Sequence, residues 1–232
     1  DFLPRKTSVQ LPDTPGFETF AEDAGFRRIS HEIVPYSAHV SIETYRKVIN
    51  LKPGNLESYL YLSVIYAETK QHADAIDILR QMLKRDPGNV MGHYYTGKIY
   101  AEMRQYREAE QWYLKTLELK PNFEAAQSDL ALLYELQGKN DKAREIYINM
   151  IAQHPGRTSA RIKFGKLLLR ERKYEEAVSQ FQEILKRDSG NREVRFTLGL
   201  IYYEWNKFDE AIVEFSEVLK RHPDDEETRY FR

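Results

Sequence analysis

Proline recurs along this chain with a period of 34 residues. It stands at Pro53, Pro87, Pro121, Pro155 and Pro223, and Ser189 occupies the one intermediate position without it. Two further series keep the same period: alanine at Ala75, Ala109, Ala143, Ala177 and Ala211, and a large ring or leucine at Tyr45, Leu79, Tyr113, Tyr147, Phe181 and Phe215. A fixed period of this length indicates one helix–turn–helix unit copied in tandem.

Each recurrent position has a physical reason. Small residues are predicted where two helices cross closely, because larger side chains would overpack the contact; besides the alanines, they are Ser63, Gly97, Ala131, Gly165 and Gly199. Rings are predicted to fill the space between one hairpin and the next; they are Tyr66, Tyr100, Tyr134, Tyr202 and the second-helix series. Proline ends the second helix because it has no N–H with which to continue it. Gly or Asn then completes the turn, as in Gly54–Asn55.

The repeated blocks resemble the tetratricopeptide repeat over roughly residues 36–225. One block in register reads Thr96, Gly97, Tyr100, Ala109, Tyr113 and Pro121. The departures are Thr96 for the usual Leu, Leu168 for Tyr and Ser189 for Pro, which we interpret as ordinary variation. The resemblance implies an all-α fold: a tetratricopeptide-type right-handed superhelical solenoid of antiparallel helix pairs.

The period divides the chain into segments. Residues 1–35 do not follow it and are predicted to form an N-terminal arm with a short capping helix from Thr14 to about Ile29. Two hypotheses fit this segment: a cap over the first hairpin, or an arm that docks along a groove of its own or of a neighbouring copy. A degenerate half repeat (36–55), five repeats (56–89, 90–123, 124–157, 158–191 and 192–225) and a truncated helix (226–232) follow.

Composition excludes several classes of function. The 232 residues carry 35 basic and 36 acidic side chains, a balance that provides no field to attract nucleic acid or an anionic membrane. No apolar run is long enough to insert directly into a bilayer. Cysteine is absent, which excludes disulfides and thiolate metal sites and leaves the compartment open between cytoplasm and periplasm.

No catalytic pattern is present in the sequence. The six histidines are dispersed, and there is neither a glycine-rich phosphate loop nor a nucleophile elbow. We therefore expect a protein that is not an enzyme and needs no cofactor or metal.

The resemblance implies a peptide-binding groove lined by the first helices. The residues at that register are Leu60, Tyr61, Val64, Tyr94, Tyr95, Lys98, Asp129, Leu132, Ile162, Lys163, Lys166, Arg170, Phe196, Leu200 and Tyr203. The fourth repeat has eight basic and five acidic residues, whereas the fifth has five basic and eight acidic. Either these charges pair across the interface between the two repeats, or Lys163, Lys166 and Arg170 hold acidic groups of a bound segment.

These features predict a non-catalytic scaffold or adaptor that binds a peptide or helix of a partner protein in its groove. One alternative is a self-assembling scaffold, in which the N-terminal arm or the last repeat docks on another copy. Another is the substrate-recognition part of a larger enzyme.

Overall fold

The computed structural model describes residues 28–29, 32–33 and 38–231, with side chains from residue 42 to residue 231. The predicted arm and most of the predicted capping helix lie outside these residues. Strand β1 (Arg28–Ile29) pairs antiparallel with β2 (Glu32–Ile33). The capping helix therefore does not extend to Ile29, where a strand residue stands instead.

The rest of the described chain is helical, which confirms the predicted all-α class. Its twelve helices are α1 (Ala38–Leu51), α2 (Leu56–Glu68), α3 (His72–Arg85), α4 (Val90–Glu102), α5 (Tyr106–Leu119), α6 (Glu124–Leu136), α7 (Asn140–Gln153), α8 (Thr158–Arg170), α9 (Tyr174–Leu185), α10 (Arg192–Glu204), α11 (Phe208–Arg221) and α12 (Glu226–Phe231). Short turns join α2 to α3 and each later first helix to its second helix, so each pair is antiparallel.

The chain divides into two compact units at Pro121. Unit 1 contains α1–α5, and unit 2 contains α6–α12. In unit 1 one core runs from Tyr45 of α1 through Leu62 and Leu79 to Ile99 of α4. In unit 2, buried apolar residues of α9 pack with buried residues of α10.

The second helices are amphipathic, and their buried stripe provides the core. In α11 the buried residues are Ala211, Phe215, Val218 and Leu219, a spacing that places all four on one side of the helix. The exposed residues of α11 include four charged side chains and the apolar Phe208, Ile212 and Val213. This pattern explains why burial against the neighbouring helices, rather than intrinsic propensity, holds these helices in place.

The predicted close crossing at the small residues is confirmed within the hairpins, and there the second-helix rings, predicted to lie between hairpins, also pack against the glycine of their own hairpin. A Cβ atom built on Gly97 would lie 2.8 Å from the Tyr113 ring, and one on Gly165 would lie 2.5 Å from the Phe181 ring. Gly199 faces the Phe215 ring in the same way. The first helix therefore approaches the second so closely that a side chain has no room.

The turn between the two helices of each repeat contains a residue in the left-handed backbone region. These residues are Lys70, Arg104, Gly138, Arg172 and Asn206, with φ between 56° and 70°. The N–H group of each left-handed residue donates to the carbonyl oxygen three residues earlier, as Lys70 does to Ala67. The N–H group of the next residue donates to the carbonyl oxygen five residues before itself, as Gln71 does to Tyr66. These paired bonds form a Schellman motif, which satisfies the last carbonyl groups of the first helix.

Asparagine has a different role from the one predicted for the turn after proline. Asn55, Asn89 and Asn191 each begin a first helix, and their side chains accept a hydrogen bond from the backbone N–H three residues later. Gly54 and Gly88 do not adopt positive φ. The turn is therefore completed by an N-cap on the following helix, not by a left-handed residue ending the preceding one.

The short helix α12 covers part of the end of unit 2. Its Phe231 ring lies 5.8 Å from Phe215 and 5.9 Å from Phe196, and Thr228 is fully buried. Asp225 caps the helix through the Thr228 N–H at 2.9 Å and pairs with Arg192 at 2.6 Å. The hydrogen bonds from Arg192 and Thr228 hold the pKa of the Asp225 carboxyl well below its usual range.

We predict that Gly97→Leu destabilises unit 1, because the new side chain overlaps the Tyr113 ring. Overpacking of this kind costs about 1–3 kcal/mol. Chemical denaturation followed by circular dichroism measures the change. Gly54→Leu is the matched control in the same unit, since nothing lies within 4 Å of a Cβ built there. Equal losses from the two substitutions would contradict the close-crossing account.

We predict different effects on stability from two substitutions at equivalent turns of unit 2. Gly138→Ala places a Cβ on a residue with φ of 70°, which costs about 1 kcal/mol. Arg172→Gly relieves the same strain at φ of 56° and is expected not to destabilise the unit. Denaturant midpoints measure both changes, and an unaltered midpoint for Gly138→Ala would be inconsistent with the strained turn.

Candidate protein-binding faces

The predicted lining residues of unit 1 lie on α2 and α4 and differ in exposure. Tyr61 and Tyr94 are buried, at 6% and 8% exposed, and Leu60 packs partly against the core. Val64, Tyr95 and Lys98 are partly exposed. We call these three residues the unit 1 face, since they are the predicted lining residues that border the depression described next.

A small depression separates α2 from α4 at the unit 1 face. It has a volume of about 40 Å³ and is bordered by Val64, Glu68, Tyr95, Lys98 and Glu102. This volume is close to that of one water molecule in the liquid. The depression can therefore take the end of a side chain but not a whole ring.

Aromatic side chains pack next to the residues of the unit 1 face. The Tyr94 and Tyr95 rings meet edge to face at 5.4 Å, and Tyr61 lies 5.7 Å from Tyr45. The Lys98 ammonium lies 5.7 Å from the centre of the Tyr95 ring, within reach of a cation–π attraction. Burial, with a smaller effect of Tyr61, raises the pKa of Tyr95, so its hydroxyl stays neutral at physiological pH.

In unit 2, polar bonds hold the first helices α6 and α8 side by side. At their N-terminal ends the Ser159 hydroxyl donates to Glu124 at 2.7 Å, and at their C-terminal ends Arg170 pairs with Glu135. Leu132 precedes Glu135 by one helical turn, and Lys166 precedes Arg170 by one turn. Because residues three or four apart lie on one side of a helix, Leu132 and Lys166 face the same way as the pair.

The unit 2 face consists of Leu132, Ile162, Lys163 and Lys166. Leu132 is 50% exposed, and both lysines are exposed. Within residues 42–231, no carboxylate lies within 4.0 Å of either lysine ammonium group. The face therefore presents two unneutralised positive charges on α8 and, at Leu132 of α6, exposed apolar surface. Asp129, also predicted to line the groove, is partly exposed on α6.

Arg170 has an internal partner, unlike the two lysines. Its guanidinium pairs with Glu135, whose side chain is only 8% exposed and also accepts a hydrogen bond from the Tyr147 hydroxyl at 2.6 Å. Burial, with a smaller contribution from the charge of Asp129, raises the pKa of Tyr147 to about 12. Arg170 thus neutralises a nearly buried carboxylate. Sequence reasoning missed this pairing, although Glu135 stands one repeat and one residue before Arg170.

The last three predicted lining residues lie on α10, at the end covered by α12. Phe196 is buried beneath Phe231, Leu200 packs partly against the same cluster, and Tyr203 is 49% exposed. The Tyr203 ring also meets Phe208 at 5.6 Å. At this end the chain's own short helix covers Phe196, and only Tyr203 offers substantial surface.

The opposite charges of the fourth and fifth repeats do not pair with each other in the described chain. No acidic group of residues 192–225 lies within 4.0 Å of a basic group of residues 158–191. Instead Arg144 of the third repeat pairs with Glu176 of the fourth at 3.2 Å and also with Glu171. Although burial opposes it, the Lys173 hydrogen bond and the Arg144 charge lower the pKa of Glu171. The interface hypothesis therefore does not account for the charges of Lys163 and Lys166.

Comparison with family models identifies the repeat. One tetratricopeptide repeat model matches residues 67–133 and 168–231, a second matches 39–90, and a third matches 125–156. This chain belongs to the tetratricopeptide repeat family. Members of this family are generally non-catalytic scaffolds, and the fold supports a protein-interaction role. No curated protein matches the chain.

Several solved structures share the fold. The MamA structure is 26% identical, covers 66% of this chain and 89% of its own, and has a TM-score of 0.57. YrrB, described as a tetratricopeptide repeat protein with an unusual peptide-binding site, is 19% identical over 82% of this chain and 97% of its own, with a TM-score of 0.57. PilF of Pseudomonas aeruginosa is 20% identical over 84% of this chain and 88% of its own, with a TM-score of 0.60. YrrB and PilF show the fold alone.

Two absences among the described residues concern membranes and metals. No described helix combines the length and apolar character needed to cross a bilayer. Across the same part of the chain, His, Asp and Glu side chains form no group of three that could hold a metal ion.

We predict that Arg170→Ala destabilises unit 2 while Lys166→Ala does not. Removal of Arg170 leaves the nearly buried Glu135 carboxylate with the Tyr147 hydrogen bond but no cation, which costs about 1–2 kcal/mol. Lys166 is exposed and has no ion pair among the described residues, so its removal changes stability by about 0.5 kcal/mol or less. Urea denaturation measures both. Equal losses of stability from the two substitutions would show that the Arg170–Glu135 ion pair does not stabilise unit 2.

Proposed function

We propose that this protein is a non-catalytic interaction scaffold whose unit 2 face holds an acidic segment of a partner protein. The observation that carries the proposal is the pair of exposed lysines, Lys163 and Lys166, which have no ion pair within the described chain. Their neighbour Arg170 is already neutralised by Glu135. The two lysines are therefore the residues of the predicted basic cluster that remain available to a ligand.

The spacing of the two lysines suits an extended or helical segment. Residues three apart on a helix lie on the same side, so both ammonium groups can reach carboxylates of one ligand. Lysine holds carboxylates as a flexible point charge and does not require one fixed geometry. Such a site favours acidic segments of varied sequence over one defined motif.

Apolar surface beside the lysines provides the second part of the interaction. Leu132 is half exposed, and burial of an exposed leucine by a ligand contributes about 1–2 kcal/mol. Ile162 lies next to Lys163 and is partly exposed. We therefore propose a ligand that alternates acidic and apolar residues, bound by charge at the lysines and by burial at Leu132.

The unit 1 face is proposed to take an apolar side-chain end. Its depression of about 40 Å³ lies between Val64 and Tyr95, and Lys98 lies at the edge. Glu68 and Glu102 border the same depression and disfavour an acidic ligand there. The two faces thus differ in the ligand chemistry that they favour.

We predict that peptides selected from a random library on the intact protein contain Asp or Glu next to apolar residues. The double substitution Lys163→Gln/Lys166→Gln is expected to lower the affinity for such a peptide about tenfold, because two charge contacts are lost. Fluorescence anisotropy measures the affinity. Added salt is expected to weaken binding to the wild type more than to the double variant.

Lys186→Gln/Lys220→Gln is the matched control. It removes the same charge from unit 2, but Lys186 directly follows α9 and Lys220 lies on α11, away from the first helices. Both control lysines are highly exposed, at 69% and 75%. An equal loss of affinity in the two double variants would show that net charge, not the unit 2 face, determines binding. Selected peptides without acidic residues would also contradict the proposal.

A further inference from the structure

Unit 1 contains a larger pocket among α3, α4 and α5, which we call the Thr96 pocket. Its volume is about 220 Å³. Ile76 and Leu83 of α3, Thr96 and Tyr100 of α4, and Trp112 of α5 line it, with Arg80 and Lys84. The pocket shares no lining residue with the unit 1 face and does not involve unit 2.

The pocket coincides with a break in the repeat pattern at Thr96. The equivalent positions in the other repeats hold a large buried residue: Leu62, Leu130, Phe164 and Leu198. Thr96 is also buried, at 2% exposed, but its side chain is smaller and its hydroxyl donates to the Gly92 carbonyl at 2.7 Å. Thr96 therefore leaves unfilled the space that a Leu or Phe side chain occupies in each of the other repeats. From the sequence this departure is interpreted as ordinary variation, and in the structure Thr96 lies in the wall of this pocket.

The walls of the Thr96 pocket are fixed by packing. The His93 ring packs on the Trp112 ring, with the two ring centroids 5.4 Å apart. The His93 Nε2 atom lies 2.8 Å from the Pro87 carbonyl oxygen. The Trp112 Cβ atom lies close to Gly97 of α4. The His93 contact with the ring and the Gly97 contact with the Cβ atom hold the Trp112 side chain in place, so the pocket is formed before a ligand enters.

Size and charge together indicate what the pocket can bind. An apolar cavity of about 150 Å³ accepts a benzene ring, so this pocket has room for the side chain of Phe or Leu. Arg80 and Lys84 lie one turn apart on α3, and both are exposed. Arg80 has only a long contact of 3.6 Å with Asp77, and Lys84 has no ion pair among the described residues. A ligand that fills the pocket therefore meets two cations beside it.

We propose that the Thr96 pocket receives a large apolar side chain of a partner protein, while Arg80 and Lys84 bind an Asp or Glu next to that side chain. The aromatic and aliphatic walls bury the apolar group, and the two cations select the acidic neighbour. This interaction is separate from the one proposed for the unit 2 face, and the failure of either leaves the other intact.

The chain has two tryptophans, so the indole N–H signals of Trp112 and Trp205 report on the two units separately. We would titrate the intact protein with acetyl-Phe-Glu-amide and with its neutral analogue acetyl-Phe-Gln-amide. The acidic peptide is expected to shift the Trp112 signal and to bind about three- to tenfold more tightly than the neutral one. The Trp205 signal serves as the internal control and is expected to stay in place.

Two variants separate the roles of the cavity and the cations. Thr96→Leu introduces the leucine that three of the four other repeats have at this position. We expect this variant to fold with an unfolding midpoint at least as high as the wild type and to lose more than tenfold in affinity for both peptides. Arg80→Gln/Lys84→Gln is expected to bind the two peptides equally. Lys47→Gln/Lys52→Gln, which removes the same charge elsewhere in unit 1, is expected to keep the preference for the acidic peptide.

Three results would overturn the proposal. The first is a Trp112 signal that does not move, or that moves no more than the Trp205 signal. The second is equal affinity of the wild type for the acidic and neutral peptides. The third is unchanged binding by Thr96→Leu, since the unfolding midpoint of that variant shows independently whether it has folded.

Discussion

The contact between a glycine on the first helix and a ring on the second helix is the constraint on which three of the five hairpins depend. Gly97, Gly165 and Gly199 have no Cβ, so the facing rings pack directly against the helix backbone. This close approach fixes how the two helices of a pair are rotated about their axes. The rotation decides which residues of the first helix remain outside, and therefore which side chains a partner can reach.

A second constraint acts on the backbone and leaves the side chains free. All five turns within the repeats have a left-handed residue and the same paired hydrogen bonds, although the residue there is Lys, Arg, Gly or Asn. Because the backbone satisfies the end of each first helix, the outward side chains need not do so. The same framework can therefore carry tyrosines with Lys98 in unit 1 and the pair Lys163 and Lys166 in unit 2.

The candidate faces show how far sequence reasoning reaches. The register of the first helices groups Leu132, Lys163 and Lys166 with the predicted lining residues, and all three side chains are exposed. It did not separate them from Tyr61, Tyr94 and Phe196, which are buried. Tyr61 and Tyr94 pack against neighbouring rings in unit 1, and Phe196 is covered by Phe231, so contacts with other helices decide that these three are core.

The sequence by itself determined the helical class, the length of the repeat, the hairpin within each repeat and the family. These follow from residues that recur with one period and act within a single hairpin. Only the tertiary structure decided that Arg170 is neutralised by Glu135, that Lys163 and Lys166 are not, and that the smaller Thr96 lies in the wall of a pocket. Each of these depends on side chains from different helices that meet in three dimensions, and no local period encodes such a meeting.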